Sequence, residues 1–505
     1  MTVRLTSGPI PLNALPGKIM YTNAAIIGVG QSAYTRRPQP GQSTHTFIRD
    51  AVVAALVDAA IDPREVDGMA VASFSLAPDA AIDLAWKLGL SLRWLVQDTN
   101  GGSSAMNMLG HALRAVETGA ASVILVAGGD ATGLGGYAKV AANFNIATQL
   151  HLAPLGHGGP NGVYALVTSR QMKTYGLQKS DYGQLAIAQR AWAAHNPYAV
   201  YRTAMTMEDY LAAPLVADPL SRYDCVPVVA GAQAIVVAHP DRCPDGRAPV
   251  RVRAHRASFN YDNQEGDGLQ TGISTFAGEL WRAAGVGPED IDVASIYDDY
   301  PAMVLAQLND LGMIPGSDLA RFARRDIGER RFPLNTWGGD ALRRPAGRTR
   351  RRTEWNLGSG AAIAASRRRA ASRGRKARGD DWIWHDPISL WGHCRRRRVG
   401  APGMNRGVAI WRCVKCRTGF FPQRLLCSHC HGDTFEQDRV YQAVVEEIST
   451  IRHMLGQTDW QPRRIASVRT SDGQRITVGL TDESEPGTVI ELFEENAAPF
   501  GAAKK

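Results

Sequence analysis

A chain of 505 residues is too long for one core, and 44% hydrophobic with 21% charged residues describes a globular protein rather than a disordered one. Seven cysteines exclude a disulfide scaffold, and neither a ~20-residue apolar span nor a signal-like start is present, so a cytoplasmic location with no membrane span is expected. The net charge of +9 is local: between Gly338 and Pro402 sixteen Arg and one Lys face five acids, leaving the remainder at −3, which excludes the spread basic face of a nucleic-acid binder.

Residues 1–20 read as an N-terminal extension. From 21 to 337, apolar runs alternate with amphipathic stretches: Ala24–Val29 predicts a strand, Thr46–Ile61 a helix, Gly68–Ser73 a strand, Gly102–Glu117 a helix and Ala121–Ala127 a strand. Buried strands between helices indicate an α/β sheet covered on both faces. An internal echo points to duplication. AAIDPREVD at 59–67 and AAGVGPEDID at 283–292 each follow a helical pattern and precede a strand, with Pro63 and Pro288 in equivalent places.

Residues 338–403 follow neither helical nor strand period, yet contain WIWHDPISLW, which a basic linker seldom does. Codons for Asp380–Gly403 can be chosen so that a one-nucleotide shift yields TTGYGMILYRYGATAGAAVLERPG, a small-residue apolar pattern. We read this segment as out of frame, with a disordered basic linker as the alternative; if it is out of frame, the last strands of the second half are expected to be missing.

Residues 404–436 open with Cys413-x2-Cys416-x10-Cys427-x2-Cys430. Two such knuckles place four thiolates around a tetrahedral zinc and leave no open position for water, so the expected site is structural. Lys415, Arg417 and Arg424 would moderate the thiolate charge, and His429 and His431 read as surface neighbours. Residues 437–505 show short alternating segments separated by turns, which predicts a small, partly open β-barrel.

WRCVKCRTGFFPQRLLCSHC followed by TVGLTDESEPGTVIEL resembles the rubredoxin-like zinc ribbon plus OB-fold domain associated with acyl-CoA enzymes. DTNGGSSAMNMLGHALRAVETGAASVILVAGGD, PLSRYDCVPVVAGAQAIVVA and SIYDDYPAMVLAQLNDLG resemble the thiolase superfamily, specifically sterol-carrier-protein-type thiolases and lipid-transfer proteins. The resemblance implies an α/β fold with a duplicated five-layer core, a homodimer formed through that domain, and acyl-CoA chemistry.

It also exposes departures. Matching GSSA to its counterpart puts Thr99 where thiolases hold the nucleophilic cysteine, and Cys225 and Cys243 lie in the wrong elements. Claisen chemistry through an acyl-enzyme is therefore disfavoured. Tyr297-Asp298-Asp299-Tyr300-Pro301 replaces the family's Asn- or His-containing motif, as in aldolases that cleave steroid side chains from acyl-CoA. The implied reaction is retro-aldol cleavage of a bulky, steroid-like β-hydroxyacyl-CoA, with Tyr297, Tyr300 and Asp298 as candidate catalytic residues. Gly101, Gly102 and Ser103 would hold the thioester oxygen or enolate at a helix start. Acetyl-CoA acetyltransferase and a non-catalytic lipid or acyl-CoA carrier are the alternatives. Coenzyme A enters as part of the substrate. Gly156-His157-Gly158-Gly159 reads as a loop over the substrate cleft, Trp192 and His195 as core and surface of a helical pattern, and Arg202 as one of several arginines that could meet a coenzyme A phosphate.

Overall fold

The computed structural model describes residues 21–76, 80–131, 147–196, 199–263, 265–338, 361–365, 381–386, 405–454, 460–495 and 498–504. The alternation in the first half produces one five-stranded sheet. It contains β1 (Ala25–Gln31), β2 (Gly68–Ala72), β3 (Trp94–Asp98) and β4 (Val123–Asp130). After the short β5 (Leu215–Ala217) and β6 (Leu220–Ser221), β7 (Gly231–Ala238) returns to that sheet, giving the order β1-β7-β4-β2-β3. Alternation along each strand serves two helical layers. Met69, Val71, Val123 and Leu125 pack under α1 (Thr44–Ala59) and α2 (Ala80–Leu88), whereas Ala70, Ile124 and Val126 meet α3 (Ser104–Glu117). Ser43 caps α1 through the reciprocal box with Thr46, which fixes where the helix starts.

Two longer helices follow, α4 (Pro160–Tyr175) and α5 (Lys179–His195). The second sheet then begins with β8 (Arg251–Ala257) and β9 (Val293–Ser295), separated by α6 (Ala277–Ala284). On one side β8 presents Val252 and His255 to α3, and on the other Ala254 joins the cluster containing Leu280 and Ala284 of α6. Helix, sheet, helix, sheet and helix therefore stack as five layers. The close approach at the centre needs Gly110, because a Cβ there would lie 2.4 Å from the His255 ring. The echoed prolines also match: Pro63–Glu65 and Pro288–Asp290 are both single 3₁₀ turns leading into β2 and β9.

Within the Arg-rich segment two short strands are described, β10 (Ala361–Ala365) and β11 (Asp381–Asp386), and they fill the second sheet in the order β8-β11-β10-β9. An out-of-frame segment was expected to leave these places empty; the structure fills them. Their directions depart from the duplication, however. In the first sheet β7 is antiparallel to β1, and β4 is parallel to β2. At the equivalent places β11 is parallel to β8, and β10 is antiparallel to β9. The rest of 338–403 lies outside the described residues apart from Gly338.

The C-terminal part opens with β12 (Asn405–Arg406). A small sheet of β13 (Val408–Cys413), β14 (Gly419–Phe420) and β15 (Phe435–Val440) carries the cysteine knuckles. It continues into β16 (Gln442–Ile451), β17 (Arg463–Thr470), β18 (Arg475–Leu480), β19 (Val489–Glu495) and β20 (Ala498–Ala503). These five strands close on themselves in the order β16-β17-β18-β20-β19, because β19 also pairs with β16. The barrel is thus closed rather than partly open, which satisfies both edges of its sheet. One strand of the α/β domain extends it: Ala217 of β5 pairs with Ile451 of β16, and the Arg452 and His453 N–H groups both donate to the Val216 carbonyl.

Candidate active site and metal centre

The Gly101–Ser103 turn is a single 3₁₀ turn running into α3. Gly101 adopts φ +70°, a conformation that costs glycine little. Asp98, buried at the end of β3, braces the turn by accepting from the Asn100 N–H at 2.8 Å and the Ser104 hydroxyl at 2.6 Å. The first N–H groups of such a turn have no partner within the helix, so they are available to an oxyanion.

Tyr297 lies directly over this turn. A Cβ on Gly102 would fall 2.6 Å from the Tyr297 Cζ and 2.7 Å from its hydroxyl. The Tyr297 hydroxyl also donates to Asp299. A phenol, a carboxylate that can take its proton and a helix-start turn therefore share one point, although nearly two hundred residues separate them in sequence.

The neighbours of Tyr297 divide into distinct roles. Buried Asp298 accepts from Gln189 Nε2 at 2.7 Å and Asn335 Nδ2 at 2.9 Å, and the Asn335 side-chain Oδ1 accepts from the Ile296 N–H at 2.8 Å. Gln307 donates to the Tyr297 carbonyl at 2.8 Å, fixing the backbone from the far side. Tyr300 does not share a helical face with Tyr297, because Pro301 starts the helix only after it. Instead Tyr300 donates to Asn161 Oδ1 at 2.7 Å and stacks on Tyr164 at 4.2 Å, within the core shared by the α/β domain and the barrel. Burial and the nearby Asp299 raise the Tyr164 phenol above its ordinary range. Asn161, Tyr164, Gln189, Gln307 and Asn335 escaped sequence reasoning, since they come from four separate places in the chain and even Gln307, in the same stretch as Tyr297, is an ordinary amide on a helix.

Beside Asp298 and Asp299 lies a small cavity whose wall includes Gln189, Tyr223, Cys225 and Val226. Cys225 is no substitute nucleophile: burial and the adjacent Asp224 push its thiol up to about 12. Asp224 itself is engaged by Lys179, the Tyr210 hydroxyl and Ser221. Thr99 is exposed on the turn, and Cys243 packs at the border of the α1 core. His157 is buried in the turn that meets the barrel, and desolvation lowers it to about 4. His195 ends α5, and Arg202 donates to the Ala194 carbonyl.

In the ribbon, the Sγ atoms of Cys413, Cys416, Cys427 and Cys430 all lie within 4.8 Å of one another. The two knuckles are built alike. Cys413 and Cys427 each donate their N–H to the carbonyl five residues on, and Arg417 and His431, four residues after those cysteines, both take positive φ. Four thiols converging from two matched turns could hold a metal ion. The nearby cations are engaged elsewhere: Arg417 pairs with Glu436, while Arg424 donates to the Asn263 carbonyl and lies over Phe420. His429 pairs with Glu265 at 3.1 Å, which keeps it outside the four-cysteine cluster.

A family model described as thiolase C-terminal domain-like matches residues 257–347. A steroid side-chain-cleaving aldolase from Thermomonospora curvata is 29% identical over 348 residues, covering 65% of this chain and 86% of the relative. A 17-hydroxy-3-oxo-4-pregnene-20-carboxyl-CoA lyase from Mycobacterium tuberculosis is 29% identical over 336 residues, covering 63% and 86%. The chain is similar to members of the thiolase superfamily over most of its first two thirds. Among solved structures, an Ltp2-ChsH2(DUF35) aldolase superposes with a TM-score of 0.55 at 26% identity, covering 64% of this chain and 86% of that one. A monomeric SCP2-thiolase like protein type 1 from Mycobacterium smegmatis shares the fold, with a TM-score of 0.57 at 15% identity over 96% of this chain and 99% of that one. This chain places a tyrosine–aspartate pair, Tyr297 and Asp299, over the helix-start turn at Gly101–Ser103.

Proposed function

We propose that this chain is a thiolase-fold acyl-CoA lyase that cleaves a bulky, steroid-like β-hydroxyacyl-CoA by retro-aldol reaction. The observation that carries the reading is the Tyr297 hydroxyl seated on Gly102 with Asp299 as its acceptor. The substrate β-hydroxyl gives its proton to Tyr297 as Tyr297 passes its own to Asp299. The Cα–Cβ bond breaks and its electron pair moves into the thioester as an enolate, while the former carbinol leaves as a ketone. N–H groups around Gly101, Gly102 and Ser103 hold the enolate oxygen, each well-placed donor being worth about 3 kcal/mol. The stored proton then returns to the enolate carbon, releasing a short acyl-CoA. Asp298 and Tyr300 serve by holding the loop rather than by touching the reacting atoms. Support for the substrate class comes from the two relatives named for steroid side-chain and pregnene-carboxyl-CoA cleavage.

Tyr297→Phe removes one hydroxyl, so ketone release should fall by at least ~10²-fold with acyl-CoA affinity retained. Undiminished cleavage by that variant would overturn the assignment. An acetyltransferase would lack its thiolate nucleophile here: threonine stands at position 99 and Cys225 is held protonated. Turnover itself separates the lyase from a carrier.

The four cysteines would hold a structural zinc, since thiolates in tetrahedral number select that ion. Among the described residues one side of β3 has no partner strand, and with Ile82 and Trp86 exposed on the adjacent α2 this favours a homodimer through the α/β domain. Free thiols fit a reducing cytoplasm, and among the described residues no helix is long and apolar enough to cross a membrane.

A further inference from the structure

Arg36, Tyr201, Arg190, Tyr223 and Arg222 form an alternating ladder. The Arg36 guanidinium lies 5.5 Å from the Tyr201 ring centre, Arg190 lies 5.5 Å from Tyr201 and 5.7 Å from Tyr223, and Arg222 lies 5.3 Å from Tyr223. Three segments distant in sequence supply it: the stretch after β1, α5 with its following loop, and the turn after β6. Arg36 and Arg222 are exposed, while Arg190 and both rings are half-buried. Among the described residues no carboxylate pairs with any of the three guanidiniums, whereas Arg170, Arg256, Arg324 and Arg439 each have one. Arg190 is held below its ordinary value first by burial, with Arg222 adding repulsion.

Cation–π contacts align the guanidiniums but leave their positive charges uncancelled. Planar guanidiniums held apart by rings present forked N–H donors with the geometry of phosphate recognition. The ladder also has an address, for Tyr223 is both a rung and part of the wall of the small cavity beside Asp298 and Asp299. A ligand seated over the Tyr297 turn and extending past Asp299 would bring its far end toward the arginines.

We infer that this Arg–Tyr ladder binds the phosphate groups of coenzyme A, holding the nucleotide end of the thioester while the acyl end occupies the Tyr297 turn. The inference rests on the acyl-CoA reading above, and names where that substrate is gripped. It explains why the cations are left without acids: an internal carboxylate would compete with the phosphates.

The test is calorimetric titration of the full chain with coenzyme A, 3′-dephospho-coenzyme A and pantetheine, comparing the wild type with an Arg36→Gln, Arg222→Gln double variant. Both side chains are exposed, so folding should be unaffected. The Kd for coenzyme A should rise at least ~10-fold and lose much of its salt dependence, the rise should be smaller for 3′-dephospho-coenzyme A, and pantetheine binding should not change. A Kd for coenzyme A within twofold of wild type, or equal losses for pantetheine, would overturn the proposal, as would a wild type that does not bind coenzyme A. Cleavage assays separate the two ideas. Ladder-dependent binding of coenzyme A without turnover of any β-hydroxyacyl-CoA would sink the lyase and keep the phosphate site; turnover with an unchanged KM in the double variant would do the reverse.

Discussion

Gly102 has no side chain because the Tyr297 ring occupies the space one would fill. That fact ties two motifs together more firmly than either does alone. Gly102→Ala should displace the Tyr297 ring and lower cleavage about as much as Tyr297→Phe, with the soluble fold retained; near-normal kcat in the alanine variant would mean the ring can move without consequence. The same residues show what a sequence can disclose. Tyr297 and Asp299 are legible because they lie in one short stretch, and Gly101–Ser103 because a glycine-rich turn precedes an amphipathic helix. Gln189, Gln307 and Asn335 are illegible for the opposite reason. Each is one amide among many, and only the folded chain brings them to Asp298 and the Tyr297 carbonyl. Two buried histidines add a pH dependence. Desolvation lowers His255 and His157 from 6.5 to about 4, His255 with Arg114 contributing. The unfolded chain therefore takes up protons first as the pH falls, and stability should decline between about pH 6.5 and 4. Denaturant midpoints across that range check it: a flat profile would contradict the burial of both imidazoles, and His255→Gln should flatten part of the slope.

At the scale of elements, the ribbon is the part least able to stand unaided. Its apolar cluster is Cys413, Phe420 and Cys427, with Cys430 and Phe435 packed against it. So small a core needs the metal to fold around. Elemental analysis of reduced protein should find one zinc per chain. A strong chelator should melt β13–β15 and release the contacts that Arg424, Ser428 and His429 make with Asn263 and Glu265. An unchanged circular dichroism spectrum and melting temperature after complete zinc removal would refute a folding role. The cysteine spacing predicted this element almost entirely, because metal ligation imposes fixed intervals on the chain. Barrel closure was not legible, since the β16–β19 pairing depends on curvature that short alternating segments do not encode.

For the molecule as a whole, the Arg-rich segment is the point of conflict. We propose that roughly residues 338–403 are written out of frame. The first sheet supplies a template, and β10 and β11 take the expected places with both directions reversed. Just ahead of the segment, buried Thr336 Oγ1 and Trp337 Nε1 have no hydrogen-bond partner among the described residues. Resequencing codons 330–410 should reveal the shift, and a frame-restored chain should be more soluble and more active than the chain as written. An uninterrupted frame on both strands, or equal behaviour of the two proteins, would defeat the proposal. Composition localised the anomaly because arginine runs are conspicuous; only strand direction gave it a structural form.

The junction of β5 with β16 has a consequence for how the two parts depend on their connection. Ala217 and Val216 join the barrel strand through backbone hydrogen bonds, and the buried Arg170–Glu447 ion pair, with Ser467 also accepting from Arg170, clasps the same face. Covalent tethering raises the local concentration of one partner for the other, but this seam is made by residues well outside the tether. Scission between β11 and β12 would therefore leave a two-piece heterodimer, and the fused chain can be regarded as a permanent complex whose covalent connection past β11 is dispensable once assembly is complete.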